Sequence, residues 1–358
     1  MSMPSPITHA SIRTAQSMND KQDWLVQLSG KELEELYQAA AKVCEQGVAL
    51  QHLQRHDFVL PSLAPRLARL RHELLYGGGF LQLRGFDVER ADRRHTATAF
   101  WGLSLHLADR FASQNKHGHL LGHITDLGES KSNVSQRGPY SRERIPFHVD
   151  ACDVVGLMCL NPAKRGGESS IASSGLIHNE MLKRRPELLD SLYQPIFRDR
   201  RDEIPPGKLP WYAIPIFSSY GGVLSVNVEP TYIGSVARHF SGRDPHSELQ
   251  LEAMMMMQEL ADEMHLDVQF EPGDMQFVHN HVIMHSRQHF EDFSAASKRR
   301  HLLRIWLLAD DARPLPDAYY GRQGDRQSVR RPGGIFDANT VTNVPLFSTV
   351  EQRAGLGE

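Results

Sequence analysis

Apolar residues recur along the chain in two rhythms. At helical spacing, Leu33, Leu36, Tyr37, Ala40 and Val43 follow Ser29-Gly30-Lys31-Glu32. In that tetrad Ser29 caps a helix and Glu32 reaches back to it. A second helix is predicted over 61–76, with Leu63, Leu67, Leu70 and Leu74 on one stripe, a third over about 92–107 and a fourth over 246–264. Shorter apolar runs predict strands at 80–84, 153–160, 168–173 and 300–308. A hairpin is expected from 214–217 and 223–226 about the turn Ser219-Tyr220-Gly221-Gly222, with Pro215 marking its first strand as an edge. Another strand-turn-strand unit joins 268–270 to 275–278 through Glu271-Pro272-Gly273-Asp274. These strands cluster around helical insertions without regular βαβ alternation. The pattern predicts an all-β core with helical decorations, an α+β protein, in a single domain over 23–312.

Several polar stretches interrupt the pattern. Residues 1–22 are Ser-rich and expected to fray, and 313–358 read as a docked tail rich in Pro, Gly, Arg and Gln. Gly77-Gly78-Gly79 lacks a following Lys-Ser/Thr and precedes a strand, so it reads as a helix stop, not a phosphate loop. The segment 113–119 is turn-like, and its His117 and His119 read as loop residues. Residues 129–144 suggest a loop entering a site, and the charged run 198–202 a solvated face or part of a lid. Gln114, Asn115 and Tyr220 are the candidate substrate contacts. Met254 to Met257 cannot all face one way and read as adaptable packing, not a copper site.

Composition narrows the class. A net charge of −3 argues against an obligatory nucleic-acid partner. Three cysteines make a poor disulfide framework and point to a reducing compartment, with Cys152 as a buried core thiol. The N-terminus lacks an apolar signal core, and no run reaches the roughly 18 apolar residues of a membrane span. A cytoplasmic protein acting on a small molecule is expected, with homo-oligomerisation left open.

The candidate chemistry centres on Ile145-Pro146-Phe147-His148-Val149-Asp150. On an extended strand i and i+2 share a face, so His148 and Asp150 can converge on one metal ion. With 19 histidines, one H-x-D is expected about once by chance, and a second, His265-Leu266-Asp267, does occur. It follows a helical pattern and reads as a helix-to-strand junction. The downstream residues distinguish the first pair. His285 supplies a second imidazole, and two His with one carboxylate leave iron positions open for other ligands. Arg300 and Arg304 then share a face of an apolar strand, where they are costly without anionic partners.

The ordered set resembles the taurine dioxygenase/TfdA-like family of iron(II)- and 2-oxoglutarate-dependent oxygenases. The resemblance runs through Gly79-Phe80-Leu81-Gln82-Leu83-Arg84-Gly85-Phe86, Phe147-His148-Val149-Asp150, Gly166-Gly167-Glu168-Ser169, Pro272-Gly273-Asp274-Met275, Asn280-His281-x-x-x-His285-Ser286-Arg287, and Arg300 to Leu307. It implies a double-stranded β-helix, a distorted jelly roll, with iron(II) held by His148, Asp150 and His285. It implies that Arg300 binds 2-oxoglutarate, helped by Ser169, or by Ser170 if the register slips. Arg304 would hold the acidic group of the prime substrate or support the cosubstrate. The implied reaction uses dioxygen and releases succinate and carbon dioxide while a small carboxylate-bearing molecule, an amino acid or natural-product precursor, is hydroxylated or desaturated. Cleavage of a sulfonate or aryloxyalkanoate is a variant of the same chemistry. A zinc hydrolase built on His279 and His281 is the alternative, and a non-catalytic sensor on the same barrel is a third.

Overall fold

A computed structural model describes residues 4–126, 141–323 and 326–355. Its centre is two facing sheets. The larger runs, in spatial order, Leu25–Gln27, Phe80–Arg84, Met275–His279, Val154–Asn161, His301–Leu308 and Arg110–Ala112, with Leu121–Ile124 also paired to His301–Leu308. The smaller runs Leu266–Val268, Ser169–Ser173, Ile283–Arg287 and Ile145–His148. Pairing is antiparallel except between Leu25–Gln27 and Phe80–Arg84.

Strand alternation separates the side chains into layers. Along His301–Leu308, Leu303, Ile305 and Leu307 point outward and pack with Leu36, Leu67, Phe100 and Phe277. Leu302, Arg304, Trp306 and Leu308 occupy the opposite face, and Trp306 and Leu308 meet Val155, Ile171 and Ile283 between the sheets. On the smaller sheet Met284 and Ala172 turn outward onto Ile177, Met181, Met257 and Leu260. Helices therefore cover both outer faces, and the inter-sheet space carries the polar groups.

The helix signals are realised locally. Ser29 and Glu32 form the capping box of Gly30–Glu45, Ser247 and Gln250 that of Glu248–Met264, and Asp92 caps Arg93–Ser104. The second helix spans Ala64–Tyr76 and stops at Gly77. In the four-methionine run Met257 is buried and Met255 exposed, as packing requires. The Pro272-Gly273-Asp274 turn is a structural device. A Cβ on Gly273, at φ +88°, would lie 1.7 Å from the Phe86 carbonyl. Asp274 accepts two hydrogen bonds from Arg84, at 2.9 and 2.7 Å.

Four expectations are corrected. Residues 198–202 are not a solvated face: Arg198 is wholly buried, donating to the carbonyls of Ile214 and Asn227 at 2.7 and 2.6 Å, and Asp199 is buried against Arg238. Only Asp202 is exposed. The hairpin is built from Phe217–Tyr220 and Val223–Val226, while Ile214 ends a separate strand, Trp211–Ile214, because Pro215 interrupts the run. The strands flanking residues 271–274 are not partners: Leu266–Val268 joins the smaller sheet and Met275–His279 the larger. The N-terminal segment is engaged where it was expected to fray, with Ala15–Lys21 helical and Ile7 hydrogen-bonded to Asn179. Most of the loop predicted at 129–144 lies outside the described residues.

Candidate active site

The antiparallel pairing of Ile283–Arg287 with Ile145–His148 sets His285 directly opposite His148, with ring centroids 4.4 Å apart. The strand ends at His148, and Asp150 lies just beyond it, its N–H held by Asn280 Oδ1 at 3.0 Å. Ligand atoms of His148, Asp150 and His285 all fall within 4.8 Å of one another. His148 directs Nδ1 at the Pro146 carbonyl, 2.9 Å away, which leaves Nε2 for another partner. Asp150 Oδ2 and His285 Nδ1 are buried with no hydrogen bond. Burial drives the Asp150 carboxyl up, but Arg304 and both imidazoles outweigh it, so the group stays below the ordinary range. Burial, with repulsion from His148, pushes His285 down to about 3, which keeps it neutral. A neutral His285 and an ionised Asp150, each with an orphaned buried atom, are donors that a divalent metal requires.

Two open cavities, each of about 500 Å³ counting the solvent at its mouth, meet at His148, Asp150 and Arg304. One runs between the sheets past His285, Ser169, Arg287 and Arg300. Arg300 precedes its strand and donates to the Gly167 carbonyl at 3.2 Å, while its Nη1 is orphaned. A Cβ on Gly167, at φ +78°, would press to 3.0 Å from Arg300 Nε, so glycine makes room for the guanidinium. Burial pulls Arg300 down to about 10 and Arg287, which also faces Arg300, to about 9. Both arginines are buried with nitrogens that lack hydrogen-bond partners, which suits this cavity to an anion.

Alternation puts the two serines on opposite faces. Ser169 opens into this cavity and donates to Gln276 Oε1 at 2.7 Å. Ser170 lies on the other face, donating to Asp267 and accepting from Gln288. The remaining candidate contacts behave differently from expectation. Gln114 lines neither of these two cavities; its Oε1 accepts from Arg304 Nε at 2.7 Å and its Nε2 donates to the Arg304 carbonyl at 2.8 Å, so it orients that arginine. Asn115 closes its own loop by accepting from the N–H groups of His117 and His119. Tyr220 stands exposed at a hairpin end beneath Arg326. His279 and His281 are core groups, bonded to the Asp153 carbonyl and carboxylate, and form no metal-like cluster among the described residues. Cys152 is a buried thiol bonded to Asn280 and the Val154 carbonyl.

The second cavity is lined by Arg201, Glu229, Thr231, Tyr232 and Trp306 with Pro146 and Pro230. Of these, Glu229, Pro230, Thr231 and Tyr232 were not singled out in the sequence. Arg287 carried a signal, since it follows His285 by two residues on one strand; Glu229 carried none.

A carboxylate and two imidazoles at the junction of two cavities, with positions left open, are the donor set of non-haem iron oxygenases. Residues 23–306 match the Taurine catabolism dioxygenase TauD, TfdA family, and the chain belongs to it. The chain is 30% identical over 337 residues to FR-33289 synthase of Streptomyces rubellomurinus, covering 92% of this chain and 98% of the relative. It is 28% identical over 323 residues to the taurine hydroxylase-like protein SAT17 of Stachybotrys chartarum, covering 85% and 83%. Among solved structures, asparagine oxygenase with Fe(II), 2S,3S-3-hydroxyasparagine and succinate superposes with a TM-score of 0.62 at 19% identity, over 80% of this chain and 93% of that one. The non-haem iron oxygenase OrfP with Fe, succinate and (3S)-hydroxy-L-Arg gives 0.61 at 14%, over 80% and 94%. Both share the fold, a double-stranded β-helix. No described helix is long and apolar enough to cross a membrane.

Proposed function

We propose that the protein is an iron(II)- and 2-oxoglutarate-dependent dioxygenase that hydroxylates a small carboxylate-bearing molecule, an amino acid or natural-product precursor. The observation that carries this is the convergence of His148, Asp150 and His285, with orphaned atoms on Asp150 and His285, beside a cavity lined by Arg300, whose Nη1 has no hydrogen-bond partner.

The residues divide the work. His148, Asp150 and His285 would hold the metal, and Asn280 and Pro146 fix the orientation of the first two. Arg300 would pair with the distal carboxylate of 2-oxoglutarate, with Ser169 beside it and Leu157, Leu302 and Phe270 excluding water. When bound, iron and 2-oxoglutarate would supply the oxidising chemistry together with dioxygen, one oxygen atom going into succinate as carbon dioxide leaves and the other to the substrate. Arg304, held by Gln114 and 3.6 Å from Asp150, lies between the cavities, where it can anchor an anionic substrate group close to the metal position. The chain then selects which C–H bond reacts by placement alone.

The test is succinate release from 2-oxoglutarate under air with iron(II). Wild type is expected to turn over and His148→Ala to lose both activity and bound iron. Undiminished turnover in that variant would remove the proposal's basis.

A further inference from the structure

We propose that Glu229 is the cation-binding residue of the prime-substrate cavity, so that the substrate carries an amino group as well as an acidic one. The proposal rests on the oxygenase reading and sharpens its substrate class.

Glu229 is set beside the metal position by the backbone. The Val149 N–H, between His148 and Asp150, donates to the Val228 carbonyl at 2.9 Å, so the next residue emerges at the mouth of the site. Its side chain lines the same cavity as His148, Asp150, Arg304 and Trp306. Its carboxylate accepts no hydrogen bond from a described residue, unlike the carboxylates of Asp153, Asp199 and Asp274, which are each held by arginine. Asp150 is the other carboxylate in this lining, and the metal and Arg304 claim it. The Glu229 carboxyl is raised by burial, and Asp150 adds to this while His148, Arg322 and Arg201 oppose it. A half-buried, unbonded carboxylate of this kind is completed by a donor that arrives with the ligand.

The surroundings fit a zwitterion. Arg304 and Arg201 supply positive charge to the same cavity, and Trp306, Tyr232, Pro146 and Pro230 form its apolar walls. A molecule with an ammonium at Glu229 and an acid group at Arg304 would lie across the His148–Asp150 edge. A simple dicarboxylate or an uncharged acid would leave Glu229 unpaired. The competing account makes Glu229 a fixed counter-charge for Arg201 and Arg322, with no ligand role.

The experiment measures binding and turnover in parallel. Proteinogenic L-amino acids and their matched deaminated acids are titrated into the anaerobic iron(II)/2-oxoglutarate complex, following quenching of Trp306 fluorescence against a Trp306→Phe control. Wild type is expected to respond to at least one amino acid over its deaminated counterpart. Glu229→Gln should weaken that amino acid about 10- to 100-fold, the loss of one charge-assisted hydrogen bond, and leave the deaminated acid within about 2-fold. Glu229→Asp should recover part of the difference. Equal weakening of both classes, as a counter-charge role predicts, would overturn the proposal. So would a response to deaminated acids alone, or to no amino acid. Uncoupled succinate release without substrate is measured in the same wild-type and variant preparations. Its absence in wild type strikes the oxygenase reading itself, whereas its presence with unchanged amino-acid preference strikes only the role of Glu229.

Discussion

Arg300→Met separates the two things a buried arginine does in this fold. Arg300 is 4% exposed, donates one hydrogen bond to Gly167, stacks at 5.3 Å on Phe290 and leaves Nη1 without a partner. Replacing an under-compensated buried charge with an apolar chain of similar length is neutral to stabilising by about 1–4 kcal/mol. The lost contact with Phe290 returns about 0.5–1 kcal/mol of that. Ligand-free Arg300→Met is therefore expected to lie between about 1 kcal/mol less and about 3 kcal/mol more stable than wild type in urea denaturation. Its affinity for 2-oxoglutarate should fall steeply. Two charge-assisted hydrogen bonds to a carboxylate, at about 1.5–3 kcal/mol each, correspond to roughly 10²- to 10⁴-fold in Kd. Calorimetric titration of 2-oxoglutarate into the anaerobic iron(II) protein reads this directly. Arg300→Met that is clearly less stable without ligand, yet binds 2-oxoglutarate normally, would show that Arg300 is a structural residue and refute the reasoning.

Two further predictions concern the core. Asp153 accepts hydrogen bonds from Arg331, His281 and the Ala309 N–H, so Asp153→Ala leaves Arg331 buried without its partner and should cost about 3–5 kcal/mol by urea denaturation, with the iron content of the folded fraction unchanged. His123 is pushed down to about 3 by burial and by His301, which it meets at 2.8 Å, so the folded protein binds fewer protons there than the unfolded chain below pH about 6.5. Stability is then expected to be full above pH about 6.5 and to fall as pH drops toward about 3, and His123→Gln should remove about 2 kcal/mol of the loss between pH 6.5 and 5 in urea midpoints. An unchanged pH slope in that variant would count against the account.

The order of helices and strands was legible because it follows from short-range periodicity. The capping boxes at Ser29 and Ser247, the stop at Gly77 and the alternation along His301–Leu308 are all local. The pairing of strands was less legible. Residues flanking the Pro272-Gly273 turn looked like one hairpin and belong to two sheets, because a tight turn also serves to cross a sandwich. Arg198 to Arg201 looked solvated because charge is usually at the surface, yet carbonyls of Ile214, Asn227 and Leu209 accept from Arg198 and Arg200 within the fold.

For the site, the sequence determined the residue types and their order: an H-x-D, a later histidine, and two arginines four residues apart. Strand periodicity sufficed to put Arg300 and Arg304 toward one space. Tertiary structure alone decided the rest, since it depends on contacts between residues far apart in the chain. It set His285 opposite His148, turned Ser169 into the cavity and Ser170 toward Asp267, tied Gln114 to Arg304, and left Tyr220 exposed at a hairpin end. It also brought Glu229 to the metal position through one backbone hydrogen bond between Val149 and Val228, a contact that no local pattern encodes.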